Sequence, residues 1–282
     1  MTPWRLLITE PLDGAWNMAV DEAIFLGRIR GTSPSTLRFF SWSPPSVSLG
    51  YGQALDGRIS IDAIHRLGVG LVRRPTGGSA IYHDTREREV TYSVVARTGD
   101  FPGAEDLLET YRWIAQGLLA GLKQLGLPVE LVPIGRSRPR EEAPTFCFAR
   151  AGSYEIEVHG KKLVGSAQRR RKGAFLQHGS ILLGADSERL RQLFPLADPL
   201  ANMITMEETL GRRPLVENVV QTLVNGMTEA LTLSVDPGDL LPEEQERANL
   251  LAREKYATPA WTEDGRSPTG IGARPGSATS LS

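Results

Sequence analysis

The chain has 282 residues, 40% hydrophobic and 23% charged, with a formal net charge of −1, so its overall charge selects no partner. Its length is enough for a full hydrophobic core. A single cysteine excludes an internal disulfide framework and any multi-cysteine zinc site, and fits the reducing cytoplasm in which the protein is expected to work.

Residues 4–9 form a short apolar run that reads as a strand and is broken by Asp13-Gly14. No basic segment followed by a long apolar one precedes it, so no signal peptide is expected. No apolar run approaches the roughly 20 residues of a membrane span. Over 15–28, Trp16, Ala19, Val20, Ala23, Ile24 and Gly27 recur at helical spacing, which turns Asp21, Glu22 and Arg28 outward; Gly31 closes the helix. Residues 36–42 and 46–50 read as strands joined across Pro44-Pro45, 61–67 as a short helix, and 70–74, 79–82 and 90–96 as strands. The clearest helix is 105–125, where Leu108, Tyr111, Ala115, Leu118, Leu119, Leu122 and Leu125 share a face. A strand at 129–133 leads into an Arg- and Pro-rich stretch, 134–145, that reads as an exposed loop. Three strands follow within 146–183. Helices are then expected at 187–193, 205–210, 215–231 and 243–256, with Pro242 at a first helical position. From Thr262 almost nothing is apolar, so 262–282 reads as a disordered tail behind a single domain, 1–261, whose part from about 186 is helical. Strands in the middle with helices at both ends give an α+β class with a mixed, largely antiparallel central sheet flanked by helices.

The chemistry is concentrated in 146–183. Cys147 is the only cysteine, and although unpaired cysteines are most often simply buried, this one follows a polar loop and lies near many cations that would favour its thiolate. Lys161-Lys162 sits after the turn signal Gly160; alternation from Leu163 onward puts Lys162 on the face of Val164, so one lysine can point inward, toward a thiolate or a substrate. Arg73-Arg74-Pro75-Thr76-Gly77-Gly78, with Tyr82-His83-Asp84, is either a tight turn or a backbone that a ligand approaches closely. It lacks the Lys-Ser/Thr of a phosphate-binding loop, and four histidines without ligand spacing give no metal site. Between 134 and 172 ten Lys and Arg face four Glu, an excess of six that suits an acidic docking partner; no aromatic platform accompanies them, so nucleic acid is not expected.

Arg73-Arg74-Pro75-Thr76-Gly77-Gly78 followed by His83-Asp84 resembles the signature of the lipoate–protein ligase A and octanoyltransferase family. So do Gly160-Lys161-Lys162-Leu163-Val164-Gly165-Ser166-Ala167-Gln168, Leu176-Gln177-His178-Gly179-Ser180-Ile181-Leu182, Asn17-Met18-Ala19-Val20-Asp21-Glu22 and Lys255-Tyr256-Ala257-Thr258-Pro259-Ala260-Trp261. The resemblance extends from about Trp4 to Trp261. It implies the biotin/lipoate-protein-ligase catalytic fold, distantly like class II aminoacyl-tRNA synthetases. Cys147 shortly before Ser153-Tyr154-Glu155 looks most like the octanoyltransferases of this family that carry the acyl group on a cysteine. These would move octanoyl from acyl carrier protein to a lysine of a lipoyl domain, typically glycine-cleavage H protein, as the first step of lipoate biosynthesis, with no cofactor.

Carried over residue by residue, Cys147 matches the acyl-accepting cysteine and Lys162 the lysine on the acyl carbonyl. Arg74, Gly77, Gly78, His83 and Asp84 match the loop around the acyl chain, and Gly165, Ser166 and His178 are further substrate-binding candidates. Lys162 is expected to approach both Cys147 and the Gly77-Gly78 loop. The 85–89 link is longer than the family pattern, and 262–282 has no counterpart. No membrane partner is expected, and the chain is read as a monomer. An ATP-dependent lipoate–protein ligase, an octanoyl amidotransferase acting from H protein, and a non-catalytic lipoyl-domain binder are the alternatives.

Overall fold

The computed structural model describes residues 3–101, 103–133 and 154–265. The chain begins with β1 (Trp4–Ile8), α1 (Gly14–Arg30), β2 (Thr36–Phe40), β3 (Ser46–Leu49), α2 (Ile61–Arg66), β4 (Gly70–Arg73), β5 (Ile81–His83) and β6 (Glu89–Arg97). It continues through α3 (Leu107–Gln124), β7 (Glu130–Pro133), β8 (Tyr154–Val158), β9 (Lys161–Arg171) and β10 (Ala174–Leu182). The last part holds α4 (Ser187–Leu193), α5 (Met206–Leu210), α6 (Val216–Leu231), β11 (Val235–Pro237), α7 (Pro242–Leu251) and α8 (Pro259–Asp264).

Eight strands form one sheet in the order β11-β1-β2-β6-β10-β9-β8-β7, and β4-β3-β5 form a second, three-stranded sheet. In the large sheet β1 runs parallel to β2 and β11, while the other pairings are antiparallel. The sheet is therefore mixed and largely antiparallel, as the strand pattern implies. One face packs against α3 and α6, through residues such as Leu118, Leu122, Leu223 and Met227. The other packs against α1 and α7, through Met18, Ala19, Phe25 and Leu251. Each of the larger ones, the Leu, Met and Phe side chains, contributes about 1.5–3 kcal/mol of transfer free energy. Two of the long helices start at side-chain caps: the Asp13 carboxylate accepts from Trp16 N at α1, and that of Asp106 from Leu108 N and Glu109 N at α3. No helix among the described residues is long and apolar enough to cross a membrane.

Several expectations change. Asp21 and Glu22 do not face outward; both are buried between α1 and its neighbours. They sit beside the apolar stripe, so periodicity alone could not assign them, and Arg38 and Lys255 neutralise them there. The 243–256 helix breaks its register after Leu251 into a π-helical turn, Ala252–Tyr256, which brings Lys255 and Tyr256 inward onto Glu22. The boundary after Trp261 moves: α8 continues to Asp264, and Thr262 is buried. β11 was not visible in the pattern. Cys147, the 134–145 loop and the chain from 266 lie outside the described residues.

Candidate active site

The Pro75-Thr76-Gly77-Gly78 turn is built on two buried arginines that point in opposite directions. Arg74 reaches into the turn. Its Nη1 donates to Ser48 O (2.9 Å) and its Nη2 to Gly77 O (2.6 Å) and Ser79 O (2.8 Å), so one guanidinium holds both limbs of the turn. Arg73 reaches away, toward the C-terminal segment. It donates to Gly50 O (2.8 Å), Gln53 O (2.6 Å), Trp261 O (3.0 Å), Thr262 O (3.1 Å) and Glu263 O (2.9 Å), while Trp261 Nε1 donates back to Arg73 O (2.8 Å). Arg74 is thus committed to loop backbone: it shapes the wall expected to meet an acyl chain.

The two glycines have different reasons. Gly78 has φ +93°, a left-handed conformation that side chains rarely adopt. Its carbonyl lies where a Cβ on Gly50 would come within 1.8 Å, so the two backbones touch. Around Gly77 no such contact is found: a Cβ there would meet no described atom within 4 Å. Among the described residues, Gly77 therefore faces open space from a turn held by Arg74.

Behind the turn stand two imidazoles. His178, on β10, has Nε2 2.6 Å from Thr76 Oγ1 and Nδ1 3.1 Å from Asp21 Oδ2 on α1. Asp21 Oδ1 accepts from Arg38 Nη1 (2.8 Å) and Ser93 Oγ (2.9 Å). Burial alone would raise the Asp21 carboxyl, but Arg38 and the His178 bond outweigh it and hold it below the usual carboxylate range. Burial lowers the His178 ring below its ordinary value despite Asp21. His83, on β5, has Nε2 2.9 Å from Ser48 Oγ and Nδ1 3.3 Å from Glu89 Oε1, and stacks on Trp42 at 3.9 Å. Burial also lowers its pKa. Asp84 accepts from Thr85 N (2.8 Å) and Tyr82 OH (3.2 Å), and burial raises its carboxyl. His83, Asp84 and His178 are all buried and internally bonded, so they support the loop from behind. Thr76, Asp21, Ser48 and Glu89 complete these relays. The sequence signal for Asp21 was its place in the Asn17–Glu22 stretch that resembles the family; Asn17 and Asp21, at i, i+4, both reach Arg38.

Lys161 is exposed and Lys162 buried. Simple alternation would put Lys162 on the face of Val164, but the β8–β9 register shifts between Ile156 and Glu157: Ile156 opposes Val164, and Glu157 opposes Lys162. The extra residue is Leu163, and it joins Val164 in the α3/α6 core layer. This bulge turns Lys162 to the other face of the sheet, the face of His178. There Lys162 Nζ donates to Glu155 Oε1 at 2.6 Å, with side-chain exposures of 6% and 7%. The inward ammonium therefore has a carboxylate partner within the protein, which the thiolate-or-substrate expectation did not include. Farther along β9, Gly165 lies opposite Ser180, and Ser166 Oγ is 2.7 Å from Tyr92 OH. Cys147 cannot be placed against Lys162 because it lies outside the described residues.

The basic run is less free than its charge suggests. Arg169 Nη1 donates to Glu22 (3.2 Å), and Arg170 donates to Thr110 Oγ1 (3.2 Å) and to Ala104 O. Arg171 and Lys172 remain exposed at the β9–β10 turn. A cavity of about 320 Å³ lies elsewhere, between Asp13, Pro44, Leu71, Thr258 and Glu263, and includes none of the candidate residues.

Residues 13–228 match the family described as lipoyl protein ligase A/B catalytic domain. Octanoyltransferase LipM of Symbiobacterium thermophilum is 43% identical over 274 residues, covering 92% of this chain and 98% of that protein. Octanoyltransferase LipM of Moorella thermoacetica is 44% identical over 270 residues, covering 92% and 97%. Among solved structures, a lipoate-protein ligase A bound with ATP is similar at TM-score 0.78 and 26% identity, over 93% of this chain and 99% of that one. A putative lipoate protein ligase from T. acidophilum with bound lipoic acid is similar at TM-score 0.76 and 26% identity, over 93% and 100%.

Proposed function

The chain belongs to the lipoyl protein ligase A/B catalytic-domain family, and on that footing we propose that it is an octanoyltransferase of lipoate biosynthesis working through a thioester on Cys147. The donor is octanoyl acyl carrier protein and the acceptor a lysine of a lipoyl domain, such as glycine-cleavage H protein. The observation that carries the reading is the buried Lys162 on the sheet face of His178, the imidazole behind the Gly77-Gly78 turn.

In the first step the Cys147 thiolate attacks the donor thioester carbonyl. A new C–S bond forms, and the carrier's thiolate leaves and takes a proton. Lys162, as an ammonium, stabilises the oxyanion of the tetrahedral intermediate. In the second step a neutral acceptor lysine attacks the Cys147 thioester. A C–N bond forms, the amine loses its proton, and the Cys147 thiolate is regenerated. Both steps draw on the donor thioester, so neither needs ATP or a cofactor. The turn of Gly77 and Gly78 supplies the wall for the acyl chain, supported from behind by His178; Gly165 lies on the same sheet face, whereas Ser166, opposite Gly179 and bonded to Tyr92, lies on the other face and does not join this wall. Arg171 and Lys172, which remain exposed, are the described part of the docking surface for an acidic carrier.

The test is an intact-mass measurement after mixing the protein with octanoyl acyl carrier protein without ATP. One octanoyl adduct is expected, and Cys147→Ala should abolish it. An adduct that survives Cys147→Ala, or labelling that requires ATP and ignores that substitution, would overturn the reading in favour of a ligase.

A further inference from the structure

We infer that Asp21 and His178 are positioning residues for acyl binding: through Thr76 they hold the Gly77-Gly78 backbone in the conformation that receives the acyl group. This rests on the reading that this turn is the acyl wall.

The three side chains form one hydrogen-bonded line from α1 through β10 to the turn, Asp21 Oδ2 to His178 Nδ1 at 3.1 Å and His178 Nε2 to Thr76 Oγ1 at 2.6 Å. With Asp21 ionised, the ring proton sits on Nδ1 and faces the carboxylate. Nε2 is then an acceptor, and the Thr76 hydroxyl must donate to it. This fixes the rotamer of Thr76. Its carbonyl is fixed separately, by Tyr51 N at 2.7 Å. The next carbonyl, Gly77 O, is fixed by Arg74. Side chain and backbone are thus tied on the inner side of the turn, and the open side is the one Gly77 faces.

The base of the line is rigid. Arg38 binds Asp21 and Asn17 together, and Ser93 adds a hydrogen bond from β6. Asp21 and Thr76 are fully buried and His178 nearly so. Apolar side chains of similar size would pack there without the cost of desolvating a carboxylate and an imidazole. What the polar line adds is one defined orientation for Thr76, and the residue after Thr76 is the open glycine.

The experiment uses the full chain, octanoic acid as the binding probe, and Thr76→Val, Thr76→Ser, His178→Asn and Asp21→Asn. Thr76→Val removes the hydroxyl while keeping the shape. It should weaken octanoic acid binding roughly 3–10-fold, the effect of one lost hydrogen bond, and raise the half-saturating concentration of octanoyl acyl carrier protein by a similar factor. The maximal rate of adduct formation should change less than the half-saturating concentration, because ground-state and transition-state binding are lost together. Thr76→Ser should restore both.

In the Thr76→Val background, Asp21→Asn should add little, because the line is already cut. If Asp21→Asn does not fold, His178→Asn takes its place. Unchanged octanoic acid binding in Thr76→Val, or effects that multiply in the double variant, would overturn the inference, as would a Thr76→Ser that behaves like Thr76→Val. Wild-type protein that binds octanoic acid but forms no adduct sinks the thioester reading alone. Wild-type protein that binds no octanoic acid sinks the positioning inference.

Discussion

Lys162 and Glu155 form an ion pair that is almost entirely out of water. Removing one member of such a pair leaves the other's charge to be desolvated against a weaker set of partners, which costs about 3–5 kcal/mol. Lys162→Met should therefore lower stability by that amount in urea unfolding, and Lys162→Met with Glu155→Gln should recover more than half of it. A Lys162→Met protein within about 1 kcal/mol of wild type would show that Glu155 is not the ammonium's principal partner. At this scale the sequence announced the residue but not its neighbour. A lysine at an inward strand position is legible from period-two alternation, yet the bulge at Leu163 reverses the phase, and a reading by strict alternation assigns Lys162 the wrong face. Asp21 and Glu22 were misassigned for a related reason. A carboxylate beside an apolar stripe looks solvated until its partners appear, and those are Arg38 on β2 and Lys255 far along the chain.

Among the elements, α8 has the most to do with the candidate site. Trp261 is fully buried, its Nε1 donates to Arg73 O, and its ring lies 4.0 Å from Lys255 Nζ. Arg73 in turn binds the carbonyls of the α8 turn, so this short helix supports the strand that ends in the Gly77-Gly78 turn. Trp261→Ala should cost about 3–5 kcal/mol as a buried large-to-small change, measured by chemical unfolding. It should also weaken octanoic acid binding if the Gly77-Gly78 turn receives the acyl group, although Trp261 lies outside that turn. α3 and α6, whose apolar residues share one face, were legible to within a few residues, because a face that must be buried writes its period into the sequence; α1 and β6, buried on more than one face, were legible from their length and apolar content instead. The short ones were not. β11 has three residues and is held by pairing with β1, and α8 sits in a composition that reads as tail until Arg73 and Thr258 provide its bonds. Their stability comes from partners remote in sequence, which local pattern cannot show.

Across the whole molecule, two buried imidazoles lie between the sheets. His178 is faced by Asp21 from α1, Arg38 from β2, Arg74 from the turn and His83 from β5; His83 is faced by Glu89 from β6, Arg74 and His178. Both rings have lowered pKa values because burial disfavours the cation. Below the ordinary histidine value of about 6.5, the unfolded chain takes up protons at these rings that the folded chain excludes. Stability should therefore fall as pH drops through that range. Asp21, with its lowered carboxyl, adds a further loss at more acidic pH, while Asp84, with its raised one, acts in the opposite direction. Urea midpoints should be lower at about pH 5.5 than at about pH 7.5, and His178→Asn should flatten the profile. A wild-type profile already flat over that interval would show that neither ring resists protonation. The clasp on Arg73 also bears on how the protein is made. Trp261 follows Arg73 by 188 residues. At about 5–20 residues per second, the ribosome needs roughly 10–40 s to supply the carbonyls that Arg73 holds. The Pro75-Thr76-Gly77-Gly78 turn therefore gains its outer support only after the α8 residues have been made. Chains that stop before α8 would lack that support and leave the Arg73 guanidinium without three of its carbonyl partners.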